Sequence, residues 1–303
     1  MAVQPKKRRS KHYLLNKSLL ISNLQKTVRR QLPDQALSTA SALIEAHPKD
    51  LARRLPIIIL EDAVLHPSFP EMIKLMIRTS RNQPMTPEDR QLVLKVVDDL
   101  CKVEVRDMLD HELISKYDRL NPKAIIDPEA TSQLDAIRTR LKYGGMRSDM
   151  EMFLDFIKQW SVRFTQDEQY WIEFINQSYH IPDGDGEIRA YPLKQTGLLR
   201  ESIDFHCSPI VPVLLKKQGL EFQIYRLFGR ANPKDVLADV IWALRSSVNK
   251  RPVFWNPAAP VDLIDRMDPE TRDKYLELYQ IIEPHLDGIS EWFIKKTRES
   301  EIK

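Results

Sequence analysis

The segment from Asp50 to Leu65 constrains the fold more than any other part of this chain. Its centre, Leu55–Leu60, is the most apolar run in the sequence and is interrupted only by Pro56. A run this apolar belongs in a protein core, and Pro56 is expected to kink its helix or to mark its start. The basic pair Arg53–Arg54 precedes the run and the acidic pair Glu61–Asp62 follows it. These charged pairs must therefore reach a surface or each other.

Proline and glycine usage indicates a helical protein. The chain has 20 prolines but only eight glycines, and several prolines directly follow a residue that can cap a helix. Such a side chain accepts a hydrogen bond from a free backbone N–H, and proline has no N–H to leave unpaired at the first helical position. Four pairs fit this pattern: Thr86–Pro87, Asp127–Pro128, Asn232–Pro233 and Asp268–Pro269. We therefore predict an all-α fold with about ten or more helices.

Apolar periodicity places the helices along the chain. We expect one to begin near Tyr13 and the last to begin after Asp268, with a bend or break near Pro284. The other predicted helices span 35–46, 50–65, 69–81, 87–109, 128–143, 149–164, 167–179, 197–217, 219–229 and 233–248, and residues 251–265 are predicted as an ordered loop packed by Phe254 and Trp255.

Turn residues cluster between Ile181 and Pro192, which suggests a boundary inside the chain. The predicted organisation is a disordered basic arm over residues 1–12, an N-terminal helical subdomain over 13–180, a loop over 181–195 and a C-terminal helical subdomain over 196–303. The two helical parts form one large domain or two tightly packed subdomains. No apolar stretch approaches the roughly eighteen residues that a membrane span needs, so we expect no membrane association.

The charge of the chain is unevenly distributed. The net charge is +3, yet nine of the 46 basic side chains lie in residues 1–33, before Asp34, the first acid. The remaining 270 residues therefore hold 37 basic and 43 acidic side chains. Arms of this kind bind nucleic acid, acidic lipid or an import receptor. The candidate binding residues are Lys6, Lys7, Arg8, Arg9, Lys11, Arg53 and Arg54.

The sequence contains none of the common catalytic motifs. It lacks a phosphate-binding loop, a nucleotide-binding glycine motif, a nucleophile elbow and a zinc-binding His-Glu-x-x-His helix. We therefore predict no cofactor. The strongest metal candidates are Asp204 and His206, which neighbour Cys207. In a helix, residues two apart point to different sides, so a structural histidine is the favoured interpretation and a metal site the alternative.

The segment Ala52-Arg53-Arg54-Leu55, followed by the apolar run and Glu61-Asp62, resembles part of the helical C-terminal collar of clamp-loader-type AAA+ proteins. The resemblance covers some fifteen residues, and the chain lacks an ATPase module and departs from the family at Pro56. It implies a collar-like helical bundle that works near DNA replication or repair, without ATPase activity.

These observations favour a non-enzymatic helical scaffold that associates with nucleic acid or with a nuclear protein complex. The contiguous block Lys6–Arg9 is typical of a nuclear import signal bound by an import receptor, with a mitochondrial location as the alternative. The alternative function is a metal-dependent hydrolase or nuclease with Asp204 and His206 in its site. The sequence leaves the oligomeric state open, a homo-oligomer included.

Overall fold

The computed structural model describes residues 16–119, 132–180, 188, 193, 197–204 and 210–299. Within these residues the prediction of an all-α fold is confirmed, since only single-residue bridges join Arg106, Val253 and Asn256 and there is no strand. The α-helices are α1 (Lys17–Arg29), α2 (Pro33–Ala46), α3 (Pro48–Asp62), α4 (Phe69–Ser80), α5 (Pro87–Lys102), α6 (His111–Arg119), α7 (Ser132–Lys142), α8 (Arg147–Ser178), α9 (Ile210–Leu215), α10 (Leu220–Phe228), α11 (Pro233–Ile241) and α12 (Pro269–Glu299). None of these helices is long and apolar enough to span a membrane.

The predicted helix caps are present wherever the structure describes them. Thr86 accepts a hydrogen bond from the Asp89 N–H at 3.2 Å, and the Asp89 carboxylate accepts one from the Thr86 N–H at 2.8 Å. Asn232 and Asp268 cap α11 and α12 in the same way, by accepting from the N–H of Lys234 at 3.1 Å and of Thr271 at 2.9 Å. The Asp127–Pro128 pair lies outside the described residues.

The predicted helix 87–109 is too long, because α5 ends at Lys102. Beyond it, the backbone N–H groups of Arg106 and Asp107 donate to Pro252 and Ala63, at 3.0 and 2.8 Å. Hydrogen bonds to distant segments thus replace the next helical turn. Helix α6, which apolar periodicity did not predict, then begins at His111, with Asp110 accepting from the Glu112 N–H at 2.9 Å.

The predicted helix 197–217 is also wrong. The described part of this range contains only a 3-10 turn at Arg200–Ser202 and the short helix α9. Asn23 of α1 holds the turn, because its Oδ1 accepts from the Leu199 N–H at 2.9 Å and from Ser202 Oγ at 2.6 Å. The polar contact with α1 therefore decides the conformation that local propensity had assigned to a helix.

The predicted break between helices 149–164 and 167–179 is present as a kink, whereas the last helix is not split at Pro284. The predicted helices 149–164 and 167–179 adjoin in α8, with non-helical backbone at Asp167, whose carboxylate accepts from the Tyr170 N–H at 3.0 Å. Helix α12 continues through Pro284 without a split. In the predicted loop 251–265, Phe254 packs against the core as expected, whereas Trp255 remains 37% exposed.

Two hydrophobic cores divide the described residues. The first contains buried residues from Leu20 to Tyr179, and α3 crosses it with Leu55, Ile58 and Ile59 fully buried. The second contains residues from Leu198 to Ile294, together with Leu19 of α1. Helix α1 therefore contributes to both cores and joins them.

Arg251 connects the C-terminal ends of three helices of the first core. It is 1% exposed, and its guanidinium donates to the carbonyls of Val28 at 2.8 Å and Asp62 at 2.9 Å. It also donates to Leu100 at 2.6 Å and Val103 at 2.9 Å. The last carbonyls of a helix lack intrahelical partners and carry partial negative charge. Arg251 satisfies these groups at the ends of α1, α3 and α5 together.

A second buried arginine, Arg163 of α8, is paired with a carboxylate. It donates to the two oxygens of Asp107 at 2.6 and 3.1 Å, and neither side chain is more than 1% exposed. The rings of Trp160, Trp171 and Phe254 lie within 5.0 Å of its guanidinium carbon. Ion pairing and cation–π contacts thus compensate the charge where water cannot.

A buried histidine makes stability depend on pH. His66 Nδ1 accepts from the Ser68 N–H at 3.0 Å, so Nε2 carries the proton and donates to Asp99 at 3.3 Å. Burial lowers the pKa of His66 below its ordinary value of 6.5, although Asp99 opposes the shift. As pH falls below about 6.5, the unfolded chain takes up a proton that the folded protein excludes, so the free energy of unfolding decreases.

We expect the free energy of unfolding to fall by up to about 1.4 kcal/mol per pH unit, because one proton is involved. This decrease should continue until the pH reaches the lowered pKa of His66 in the folded protein. Urea titrations at several pH values should show a shallower dependence for His66→Gln. Equal slopes for the parent and His66→Gln would contradict the assignment.

Candidate functional site

A charged cleft lies where α1, α3 and the start of α8 meet. Its volume is about 1030 Å³, and the ionisable side chains that line it are Lys17, Lys26, Asp50, Arg53, Arg54, Glu61, Arg140, Asp149 and Asp204. Five of these are basic and four are acidic, so their pairing decides which charges are available to a ligand. Lys17, one of the lining residues, is the first residue of α1 and is half-exposed.

The basic pair Arg53–Arg54 separates into two roles. Arg54 donates to Gln25 at 2.7 Å and lies 3.6 Å from Glu61 and 3.8 Å from Asp149, so internal acids already compensate its charge. Arg53 is exposed, and in the described part of the chain its guanidinium has no carboxylate within 4.0 Å. Of the two, Arg53 is the one that remains available to an external anion.

The acidic pair Glu61–Asp62 forms a buried network with α1. Arg29 donates to Glu61 at 2.7 Å and contacts Asp62 through Nε. Gln25 donates to Glu61 at 2.8 Å and to Asp62 at 2.9 Å. The charged ends of the apolar run therefore do reach each other, since Arg54 and Glu61 lie two turns apart on α3.

Burial and pairing shift the pKa values of this network in opposite directions. Burial disfavours the charged form of Glu61, but Arg29 and Arg54 outweigh it and lower the pKa of that carboxyl. Burial dominates at Asp62 and raises its pKa, although Arg29 opposes the shift. The pKa of Arg29 is raised, because its two acidic neighbours overcome the effect of its burial. Arg29 is therefore a fixed internal cation rather than a ligand-binding one.

Asp204 is also committed to an internal ion pair. Its carboxylate, with 0% side-chain exposure, contacts Lys26 Nζ and accepts from Ser22 Oγ at 3.4 Å. Lys26 also donates to Ser22 Oγ at 2.9 Å, so it cannot take the proton of that hydroxyl as a general base would. In the described residues no group of three side chains could hold a metal ion. His206, the other metal candidate, lies outside the described residues.

Arg140 was not among the candidates from the sequence, yet it lines the cleft. It is 2% exposed, donates to Gly144 at 2.8 Å and to the Arg53 carbonyl at 3.4 Å, and lies over the ring of Phe153. Burial lowers its pKa, although Asp149 opposes this. It supports the backbone beneath Arg53, a role that arises from a contact 87 residues away along the chain. The candidates Lys6, Lys7, Arg8, Arg9 and Lys11 lie outside the described residues.

Comparison with family models, curated proteins and solved structures finds no match to this chain. The resemblance of residues 52–62 to a clamp-loader collar thus stays an expectation from the sequence. The geometry adds that Arg54, Glu61 and Asp62 of that segment are bound within the fold. Only Arg53 among its charged side chains is exposed.

Proposed function

We propose that this protein is a non-enzymatic helical scaffold that binds nucleic acid through its basic arm and the adjoining mouth of the cleft. The observation that carries the proposal is the position of the available positive charge. The basic arm over residues 1–12 precedes α1 in the chain, Lys17 at the start of α1 lines the cleft, and the exposed Arg53 lies in the same lining. The same arm is proposed to act as a nuclear import signal.

Because Lys26 and Arg29 of α1 and the adjoining Arg30 have partners inside the fold, only a few cations remain to contact phosphate. Lys26 and Arg29 are bound to Asp204, Glu61 and Asp62, and Arg30 donates to the Arg245 carbonyl at 2.6 Å. Lys17 is half-exposed and lies 3.1 Å from Asp50, a surface pair that contributes little and can yield to a phosphate. Phosphate contacts are therefore assigned to the arm and Arg53, with Lys17 as a secondary contact.

Binding is expected to depend steeply on salt and weakly on base sequence. Each neutralised phosphate of duplex DNA contributes about −0.9 to the slope of log affinity against log salt. Deleting residues 1–11 removes five basic side chains and should flatten the slope by up to about 4.5. Arg53→Ala should flatten it by up to about 0.9. Fluorescence anisotropy with a labelled duplex, titrated at several salt concentrations, gives both slopes.

The matched control is Arg81→Ala, since Arg81 is exposed but does not line the cleft, and its slope should equal the parent slope. Thermal melting of each variant checks that the fold persists. Unchanged affinity and slope after removal of residues 1–11 would refute nucleic-acid binding by the arm. The alternative function, a hydrolase at Asp204 and His206, gains no support from Asp204, whose carboxylate is bound to Lys26.

A further inference from the structure

An apolar groove lies in the C-terminal half, far along the chain from the charged cleft. It has a volume of about 400 Å³ and is formed by α9 and the second half of α12. Its apolar lining consists mainly of Ile210, Val213, Pro284, Ile289, Trp292 and Phe293. We call this surface the C-terminal groove.

Gly288 opens the groove on the side of α12. A Cβ atom added at this residue would meet no atom within 4 Å, so the space above the glycine is empty. One turn later on the same helix, Trp292 is 55% exposed. Exposed tryptophans beside a pocket are the residues that most often contribute large binding energies in protein interfaces. The groove thus combines an open recess with an aromatic wall.

The charges around the C-terminal groove are mostly basic, although the exposed Glu283 neighbours the lining residue Pro284. Lys217 and His285 are the ionisable residues of its lining. Exposed Lys216 directly precedes Lys217 after the end of α9, and exposed Lys295 follows Phe293 by two residues on α12. In the described part of the chain, none of these three lysines has a carboxylate within 4.0 Å. Two neighbouring acids of α12, Asp287 and Glu291, are instead paired with Arg200 and Arg245.

We propose that the C-terminal groove binds a peptide segment of a partner protein that carries an apolar anchor flanked by acidic residues. The anchor would occupy the recess over Gly288 against Trp292, where burial of apolar surface supplies the affinity. The acidic residues would meet the lysines at the rim, whose complementary charge speeds association and selects against basic segments. A peptide bound as an amphipathic helix and a peptide bound in an extended conformation both meet these requirements.

The shape of the recess favours a peptide over nucleic acid as the occupant. Besides its aromatic wall, the recess is lined by the aliphatic side chains of Ile210 and Val213 from α9 and of Ile289 from α12. This enclosed, mixed lining suits a leucine or an aromatic side chain better than a base, which stacks on a flat aromatic platform. The proposal is independent of nucleic-acid binding by the arm, because the two surfaces share no residue.

The test is a selection from a phage-displayed library of random peptides, made with the full-length protein. Phage that bind the parent are counter-selected on Gly288→Leu, which fills the recess. Enriched peptides are then synthesised, labelled and measured by fluorescence anisotropy. We expect enriched sequences that combine an apolar anchor with Asp or Glu, and a loss of affinity on the order of tenfold or more for Gly288→Leu and for Trp292→Ala.

Two further variants separate the contributions of charge and fold. The double variant Lys216→Glu, Lys217→Glu should weaken the selected peptides about tenfold at low salt and less at high salt. Phe222→Ala removes an aromatic side chain that is 69% exposed but outside the groove, and it should leave affinity unchanged. Circular dichroism of each variant confirms folding.

Three results would overturn the proposal. The first is a selection without peptides that discriminate the parent from Gly288→Leu, and the second is enrichment of basic peptides. The third is a single-stranded oligonucleotide that competes with the selected peptides for the protein. Its binding would have to persist after residues 1–11 are deleted and to disappear in Trp292→Ala. This last result would assign the groove to nucleic acid instead. Loss of oligonucleotide binding on deletion of the arm, with peptide binding intact, would leave both proposals standing separately.

Discussion

Arg251→Met is expected to destabilise the protein by on the order of 5 kcal/mol, because four buried carbonyls lose a charged donor at once. A hydrogen bond to a charged group contributes about 1.5–3 kcal/mol, and a buried carbonyl left without a partner adds its own cost. The carbonyls of Val28, Asp62, Leu100 and Val103 all accept from this guanidinium. Three of them keep another donor, which is the Gln31 N–H for Val28, Asn249 Nδ2 for Asp62 and Gln31 Nε2 for Val103. Since a domain is stable by only about 5–15 kcal/mol, the variant should be largely unfolded at ordinary temperatures.

Urea denaturation followed by circular dichroism measures this effect. Arg251→Lys retains the charge but has fewer donors in a different geometry, so its stability should lie between those of the parent and the methionine variant. Lys250→Met, at the exposed neighbouring position, should stay within about 0.5 kcal/mol of the parent. A methionine variant at position 251 as stable as the parent would show that the three helix ends do not depend on this residue.

Arg163→Met is expected to cost about 3–5 kcal/mol, because it leaves the buried carboxylate of Asp107 without its cation. Replacing both partners, as Arg163→Met with Asp107→Leu, should recover much of that loss, since no buried charge then remains uncompensated. The difference between the single and double variants in a double-mutant cycle gives the coupling of the pair. Additive losses from the two single changes would contradict an energetically coupled pair.

The same helix supplies a matched control. Arg147 pairs with Glu151 at 2.8 Å, but its side chain is 92% exposed. A solvent-exposed pair of this kind contributes at most about 1 kcal/mol, so Arg147→Met should change stability little. Comparison of positions 147 and 163 thus contrasts an exposed and a buried arginine–carboxylate pair whose arginines both lie in α8.

Several features were predictable from the sequence because they depend on neighbouring residues. The caps at Thr86, Asn232 and Asp268 act within three residues of the helix start, and all three are confirmed. The apolar run of α3 was expected to be buried because apolar side chains are excluded from water, and Ile58 is indeed fully buried. The ends of helices that lie in the middle of polar segments were harder to predict, as the end of α5 at Lys102 shows.

The candidate site was predictable only in part. The sequence indicates which residues are basic, but it does not show which of them are paired. Arg54 and Arg53 are adjacent, yet the first is bound to Glu61 and the second is exposed. Lys26 belongs to the acid-free segment, yet its partner Asp204 is 178 residues away along the chain.

The sequence by itself determined the helical class, the caps and the burial of α3, because local hydrogen bonding and the transfer of apolar side chains from water require no distant partner. Only the tertiary structure decided which charges are internal and which face solvent. Pairing a cation with an acid over 33 to 178 residues depends on how α1 packs between the two cores. That packing removes Lys26 and Arg29 from the surface and leaves Arg53 exposed, because a buried charge is stable only with its partner beside it.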